Sequence, residues 1–256
     1  MKTLNLEQFL AVAVFVGARV GGLMVFCPFL GSNAIPVRLK AGLTVLITAL
    51  LYPLGNFHRL ELESWQWVGV ALNEAMIGLL LGLAANFMIE APMMAGQILG
   101  VQMGYSLATL FDPQTQADTP VLGEFHRLTA LLIFLQLDVH HWLLRSVTSS
   151  FSYLPAGAGL ANYSAATSLL HAASGIFLAG MQIAAPALVA TMLADVALGF
   201  LGKASPQLPI LFVGMAMKNL LGLAILVAVL RYWPSYFSHQ FANAVTLGER
   251  LLHLTR

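Results

Sequence analysis

Three ionisable side chains, Glu74, Asp195 and Lys218, lie inside long apolar runs of this sequence. Charges at membrane depth are costly, and they face a bundle interior, water or one another. The runs that hold Asp195 and Lys218 are joined by the short segment 202–207, so a helical hairpin would bring both residues to comparable depth. We predict an ion pair between them, and a structural lock or intersubunit contact is favoured over conduction or proton relay.

Asp138 is followed by the adjacent histidines His140 and His141. Neighbouring residues on a regular helix point to different faces, so the sequence predicts a helix cap or interface here and no metal site. The chain contains no HExxH, CxxC, GxSxG or Walker-type motif, so we expect neither an enzyme nor a cofactor. The energy for any transport must therefore come from other components.

A polar stretch, residues 104–120, separates two apolar runs and carries two carboxylates and two prolines. Polar backbone at membrane depth is tolerated only where it is buried in protein or lines a water-filled cavity. The stretch therefore predicts a pore constriction, a gate or a substrate site, and an ordinary solvent loop is the alternative. In a gate, Phe111 would supply bulk and Asp112-Pro113 would stiffen the turn.

The composition indicates a membrane protein. Of 256 residues, 59% are hydrophobic and 9% are charged, and the mean hydropathy is +0.81, whereas soluble domains carry about 25% charged residues. Lipid or apolar partner subunits must cover this surface. The net charge of +1, without a basic stripe, speaks against nucleic-acid binding. Residues 1–8 look like the start of a retained first helix rather than a cleaved signal peptide.

About six apolar runs are long enough, or nearly long enough, to form membrane spans. They are residues 9–30, 41–54, 65–89 (closed by Glu90 and Pro92), the two-piece run 93–110 and 122–137, 169–201, and 208–230. The distribution of basic residues favours cytoplasmic termini. Small residues at four-residue spacing predict close helix packing at Gly17/Gly21, Gly78/Gly82 and Gly96/Gly100/Gly104.

The predicted fold is therefore all-α, a membrane-associated bundle of helical hairpins in one domain, 1–256. Its parts are N-terminal helices in 1–92, a broken helix in 93–145 that carries the loop, a C-terminal hairpin in 146–234, and an amphipathic tail in 235–256. A small-molecule or ion transporter with its site at broken helices is a rival from another class, but we find no two-fold internal repeat to support it.

Five segments of the chain occur in the order found in one family: 22–43, 102–123, 140–144, 150–157 and 203–209. With them the chain resembles the FliR family of flagellar biosynthetic proteins and its relative, the T subunit of virulence type III secretion systems. Two positions depart from the family pattern, because Pro209 stands where Asn is usual and Lys203 where Arg is usual. Lysine lacks the bidentate fork of arginine, which puts a bidentate contact there in doubt.

The resemblance implies a subunit of the flagellar type III protein export gate, at the bacterial inner membrane in the flagellar basal body and raised partly toward the periplasmic side. It implies a helical assembly with FliP and FliQ subunits, contact with FlhB, FlhA and membrane lipid, and passage of unfolded flagellar export substrates. The injectisome T subunit, with the same role, is the alternative. The loop would plug the pore, with gate residues Gly104, Tyr105, Ser106, Leu107, Phe111, Asp112, Pro113 and Pro120. Assembly or buried polar roles would fall to Glu74, Asp195, Lys203, Gln207 and Lys218.

Overall fold

The computed structural model describes residues 6–32, 35–52, 66–105, 120–154, 164–205, 207 and 210–240. Every regular element in these segments is a helix, which confirms the all-α class. The helices are α1 (Leu6–Phe26), α2 (Val37–Leu51), α3 (Gln66–Gln102), α4 (Val121–Gln136), α5 (Val139–Tyr153), α6 (Ser164–Ala204) and α7 (Ile210–Leu230). Residues 233–240 are helical as well.

The predicted break at Glu90 and Pro92 is wrong. Helix α3 continues through both residues for 37 residues, with Pro92 inside it. Proline removes one main-chain hydrogen bond, but in apolar helices neighbouring groups compensate for that loss. The run 65–89 and the first piece of the following run are therefore one element, and the proposed boundary at residue 92 does not coincide with a helix end.

Helix α5 was not predicted as a separate element. It is a 15-residue helix rich in serine and histidine, so a search for apolar runs passes over it. Asp138 separates it from α4, because this residue adopts the left-handed conformation with φ 53°. Aspartate tolerates that region better than most residues do. The predicted boundary at residue 145 lies inside α5.

Three helical segments are long and apolar enough to cross a membrane: Gln66–Gln102, Ser174–Ala204 and Phe212–Leu230. Only 39%, 22% and 17% of their most apolar windows are buried within this chain. The described residues thus yield three long segments rather than six, because α2 has 15 residues, the described apolar part of α1 is only Val12–Phe26, and two predicted pieces merge into α3. The exposed apolar faces require lipid or other subunits as a cover.

The chain divides into two compact units. The first holds residues 1–88, 134–173 and 239–256. In it α1 and α3 touch backbone to backbone, since a Cβ atom at Gly22 or Gly78 would overlap a main-chain carbonyl of the other helix. The predicted close contact at Gly78/Gly82 is confirmed, whereas Gly17 and Gly21 make only ordinary contacts with threonine side chains of α2.

The second unit holds residues 89–133 and 174–238. Its core is formed by side chains from α3, α4, α6 and α7 and includes Ala95, Leu99, Met103, Leu122, Ala184, Ala187 and Leu226. Helices α6 and α7 pack together as the predicted hairpin, with a Cβ at Gly214 lying 3.0 Å from Leu198. After α7, Trp233 and Phe237 are buried while Tyr232 is exposed. Within the predicted tail, 235–256, Phe237 is buried whereas Ser235 and His239 are exposed; the later apolar residues, from Phe241 onward, lie outside the described residues, so the amphipathic tail stays a prediction.

Candidate functional site

The candidate site is the base of the polar loop, where α3 ends. Tyr105 donates its backbone N–H to the Gly100 carbonyl at 2.9 Å, and Gly104 donates to Val101 at 3.1 Å. Gly104 has φ 85°. This pair of bonds around a left-handed glycine is the Schellman motif, which satisfies carbonyls that a helix end would otherwise leave unpaired. The chain thus leaves α3 through a turn held by its own backbone.

Met103 packs this turn against the core of the second unit. Its side chain is 1% exposed, and it packs on Gly222 of α7, where a Cβ atom would come within 2.7 Å of the Met103 Cε atom. Any larger residue at 222 would have to displace the methionine. Burial of a whole methionine side chain stabilises by roughly 1.5–3 kcal/mol, so the residue directly before Gly104 is firmly held.

Gln102, which directly precedes the buried Met103, belongs to a polar cluster formed by three helices. Gln102, at the end of α3, donates from Nε2 to Asp195 Oδ2 of α6 at 2.9 Å. Lys218 of α7 places Nζ 2.9 Å from Asp195 Oδ1 and 3.2 Å from Oδ2. The predicted ion pair between Asp195 and Lys218 is therefore present. The Lys218 and Asp195 side chains are 16% and 45% exposed, so the pair lies at the edge of the unit rather than in its centre.

The far end of the loop is also held against α3. Pro120 accepts a hydrogen bond from the Glu124 backbone at 2.9 Å as α4 begins. Gly96 of α3 meets the backbone of Leu122 and Gly123 so closely that a Cβ atom there would overlap the Leu122 carbonyl. Of the three glycines predicted to pack together, Gly96 makes this contact and Gly104 makes the turn, whereas Gly100 has open space.

Helix α4 carries two further ionisable features just past the loop. Glu124 and Arg127 form an ion pair, and the Arg127 guanidinium lowers the pKa of the Glu124 carboxyl. His126 is 1% exposed and its Nδ1 lies 2.6 Å from the Leu122 carbonyl. Burial lowers the pKa of His126, because the interior disfavours the charged imidazolium. Its ring packs 5.1 Å from that of Trp233.

The other predicted site residues are dispersed. Of the gate residues, Tyr105 is 38% exposed and Pro120 is partly buried, and Ser106, Leu107, Phe111, Asp112 and Pro113 lie outside the described residues. Lys203, in the last turn of α6, and Gln207, beyond its end, are both exposed. They join no cluster that the structure describes, and their assembly role stays a prediction. Glu74 belongs to the first unit and is fully buried.

Sequence reasoning missed the partner of Glu74, which is Arg19. The Arg19 Nε atom donates to Glu74 Oε2 at 2.6 Å, and the other guanidinium nitrogens donate to Ser150 Oγ at 2.9 Å and to the Leu154 carbonyl at 3.0 Å. The guanidinium carbon lies 4.0 Å from the centre of the Phe151 ring. Both residues are charged residues within apolar runs, which indicates that each needs a partner. Their positions in the sequence do not indicate that α1 and α3 cross at this point.

Comparison with known proteins adds family-level information. Residues 10–244 match the model of a family described as bacterial export proteins, family 1. The flagellar biosynthetic protein FliR of Escherichia coli K12 is 32% identical over 229 residues, covering 90% of this chain and 88% of the relative. FliR of Pectobacterium carotovorum is 32% identical over 91% of this chain and 90% of the relative. FliR of Bacillus subtilis 168 is 29% identical over 94% of each.

Proposed function

This chain belongs to the bacterial export proteins, family 1, and on that premise we propose that it supplies the plug of the flagellar protein export gate. In this proposal the loop 104–120 closes a central pore until unfolded flagellar proteins pass. The chain itself is a subunit of a flagellar export apparatus, as its FliR relatives indicate. Its role is structural and gating rather than catalytic.

The observation that carries the proposal is the way in which the loop is mounted. Its first end is fixed by the Schellman turn at Gly104 and the buried Met103. Its second end is fixed where Leu122 and Gly123 meet Gly96. A plug must be anchored at both ends if it is to resist pressure from solutes and yet yield to a polypeptide. Both ends of the loop are held in this way, the first by its turn and the Met103 side chain and the second by backbone contact with Gly96.

The uncovered apolar helices support the assembly that the proposal requires. The windows in α6 and α7 are only 22% and 17% buried within the chain. α2 has no buried residue, although Val45, Leu46 and Leu50 are large and apolar. Such surfaces fit FliP and FliQ subunits on one side and lipid on another, with FlhB and FlhA as further neighbours. The location would be the inner membrane in the flagellar basal body, raised partly toward the periplasmic side.

Ion conductance and solute leakage test this proposal. The intact chain, assembled with its partner subunits, is compared in bilayers with a deletion of residues 106–119, which leaves the Schellman turn and Pro120 in place. A second variant replaces the same residues by a Gly/Ser segment of equal length. We expect the deletion to leak while the complex still purifies intact. A tight, fully assembled deletion complex would show that the loop does not close the pore.

A further inference from the structure

The junction of α4 and α5 brings Asp138, His140 and His141 together in a way that a regular helix would not. Asp138 sits at the N-cap of α5 with left-handed backbone angles. The His140 and His141 ring centroids are only 4.2 Å apart. The expectation that adjacent histidines diverge is therefore wrong at this place, since both rings lie in the first turn of α5 and come together there.

The three side chains offer one ligand atom each within a small volume. Asp138 Oδ1 lies 3.4 Å from His141 Nδ1 and 3.8 Å from His140 Nε2, and all three ligand atoms lie within 4.8 Å of one another. A tetrahedral zinc site with bonds of about 2.0–2.1 Å has neighbouring ligand atoms about 3.4 Å apart. The two distances from Asp138 Oδ1 are close to that spacing, and Asp138 and His141 are exposed side chains that can rotate toward it.

We propose that Asp138, His140 and His141 bind a divalent transition metal of the zinc class. Imidazole nitrogen suits zinc, copper and nickel, and a carboxylate oxygen completes a mixed nitrogen and oxygen set that zinc accepts. Three protein ligands leave a fourth position for water. The bound ion would hold Asp138, in the two-residue link between α4 and α5, against the first turn of α5.

The Asp138 carboxylate does not make the capping hydrogen bond that is usual at an N-cap. An N-cap aspartate usually accepts a hydrogen bond from a backbone N–H of the first helical turn, but the Asp138 side chain makes no such bond. It lies instead beside both imidazoles. The Nε2 atom of His140 is the nitrogen that faces this carboxylate, at 3.8 Å.

Zinc titration of the purified export complex, prepared without a polyhistidine tag, tests the site by calorimetry. The variants are Asp138→Asn and His141→Ala, and His239→Ala is the control because His239 is an exposed histidine outside the cluster. Loss of a supporting residue around a metal typically costs 10–100-fold in affinity. Removal of a ligand should therefore weaken Zn²⁺ binding at least about tenfold, and His239→Ala should leave it unchanged. Wild-type affinity in the His140→Ala/His141→Ala double variant would overturn the proposal.

A second measurement needs no substitution and stays informative if a variant fails to assemble. The wild-type complex is treated with a histidine-modifying reagent in the presence and absence of Zn²⁺, and modified positions are mapped by mass spectrometry. We expect Zn²⁺ to slow modification at His140 and His141 and not at His239. Equal rates at all three histidines with and without Zn²⁺ would mean that the cluster is only a histidine–carboxylate contact.

Discussion

Arg19 and Glu74 form an ion pair in which both side chains are fully buried. The remaining guanidinium nitrogens donate to Ser150 and to the Leu154 carbonyl at the end of α5. The pair therefore joins α1, α3 and α5 within one unit. A buried pair contributes little net stability compared with apolar residues of the same shape, but loss of one partner leaves an unpaired charge in the interior.

Removing one member of this pair should be far worse than removing both. We expect Glu74→Ala to lower the free energy of unfolding by about 3–5 kcal/mol. The double variant Arg19→Met/Glu74→Leu should recover most of that loss, because no charge remains buried. Denaturant unfolding of the chain in detergent micelles measures both. If the double variant were as unstable as Glu74→Ala alone, the cost would come from lost packing instead.

Two glycines of α3 should respond in opposite ways to the same substitution. Gly78→Ala would drive a Cβ atom into the carbonyl of Arg19, and overpacking of this kind costs about 1–3 kcal/mol or more. Gly100 has nothing within 4 Å of its added Cβ, so Gly100→Ala should be neutral or stabilise by up to about 1 kcal/mol. Thermal unfolding of the two variants side by side checks this. Similar losses in both would rule out the close crossing of α1 and α3.

The contact between Asp195 and Lys218 should survive an exchange of charges. Lys218→Asp places two carboxylates together and should reduce stability by about 1 kcal/mol, the usual scale for a partly exposed pair. The double variant Asp195→Lys/Lys218→Asp restores opposite charges, and Gln102 can turn its amide to accept from the new lysine. The melting temperature and the yield of assembled complex report the effect. A double variant that assembles no better than either single variant would exclude a direct pairing.

His126 should make the stability of the chain depend on pH. Burial lowers the pKa of its imidazole below the usual 6.5, so the unfolded chain takes up a proton more readily than the folded chain. Stability is then constant above about pH 6.5 and falls as the pH drops toward the folded pKa. His126→Gln should flatten that part of the profile relative to the unsubstituted chain. Unfolding measured between pH 5 and 8 compares them, and an unchanged slope in His126→Gln would contradict this assignment.

Cys27 should resist alkylation in the folded chain. It is the only cysteine, so the label reports one position. Its side chain is 4% exposed, and burial raises the pKa of the thiol from 9.0 to about 12, which lowers the thiolate fraction about a thousandfold at a given pH. Maleimide labelling at neutral pH should be slow before and fast after unfolding. Equally fast labelling of the folded chain would show that the Cys27 thiol is accessible without unfolding.

The sequence carried enough information to predict the helical class, the hairpin of α6 and α7, and the contact between Asp195 and Lys218. Each of these depends on hydropathy and on distance along the chain from one short turn. The full length of α3 was not predicted, because Pro92 was read as a helix end. In an apolar helix the hydrogen bond that proline removes can be compensated by neighbouring groups. Helix α5 was not predicted because it is rich in serine and histidine and therefore does not stand out as an apolar run. The pairing of Arg19 with Glu74 depends on the crossing of α1 and α3. The two residues are 55 positions apart in the sequence, so no local spacing predicts their contact.

The backbone turn at Gly104 also has a practical meaning for engineering. The described end of α3 is closed by main-chain hydrogen bonds, and Pro120 accepts a backbone hydrogen bond from Glu124 as α4 begins. Under the proposed plug role, the segment between these two joints is the part to exchange with that of other relatives, while the joints themselves are kept.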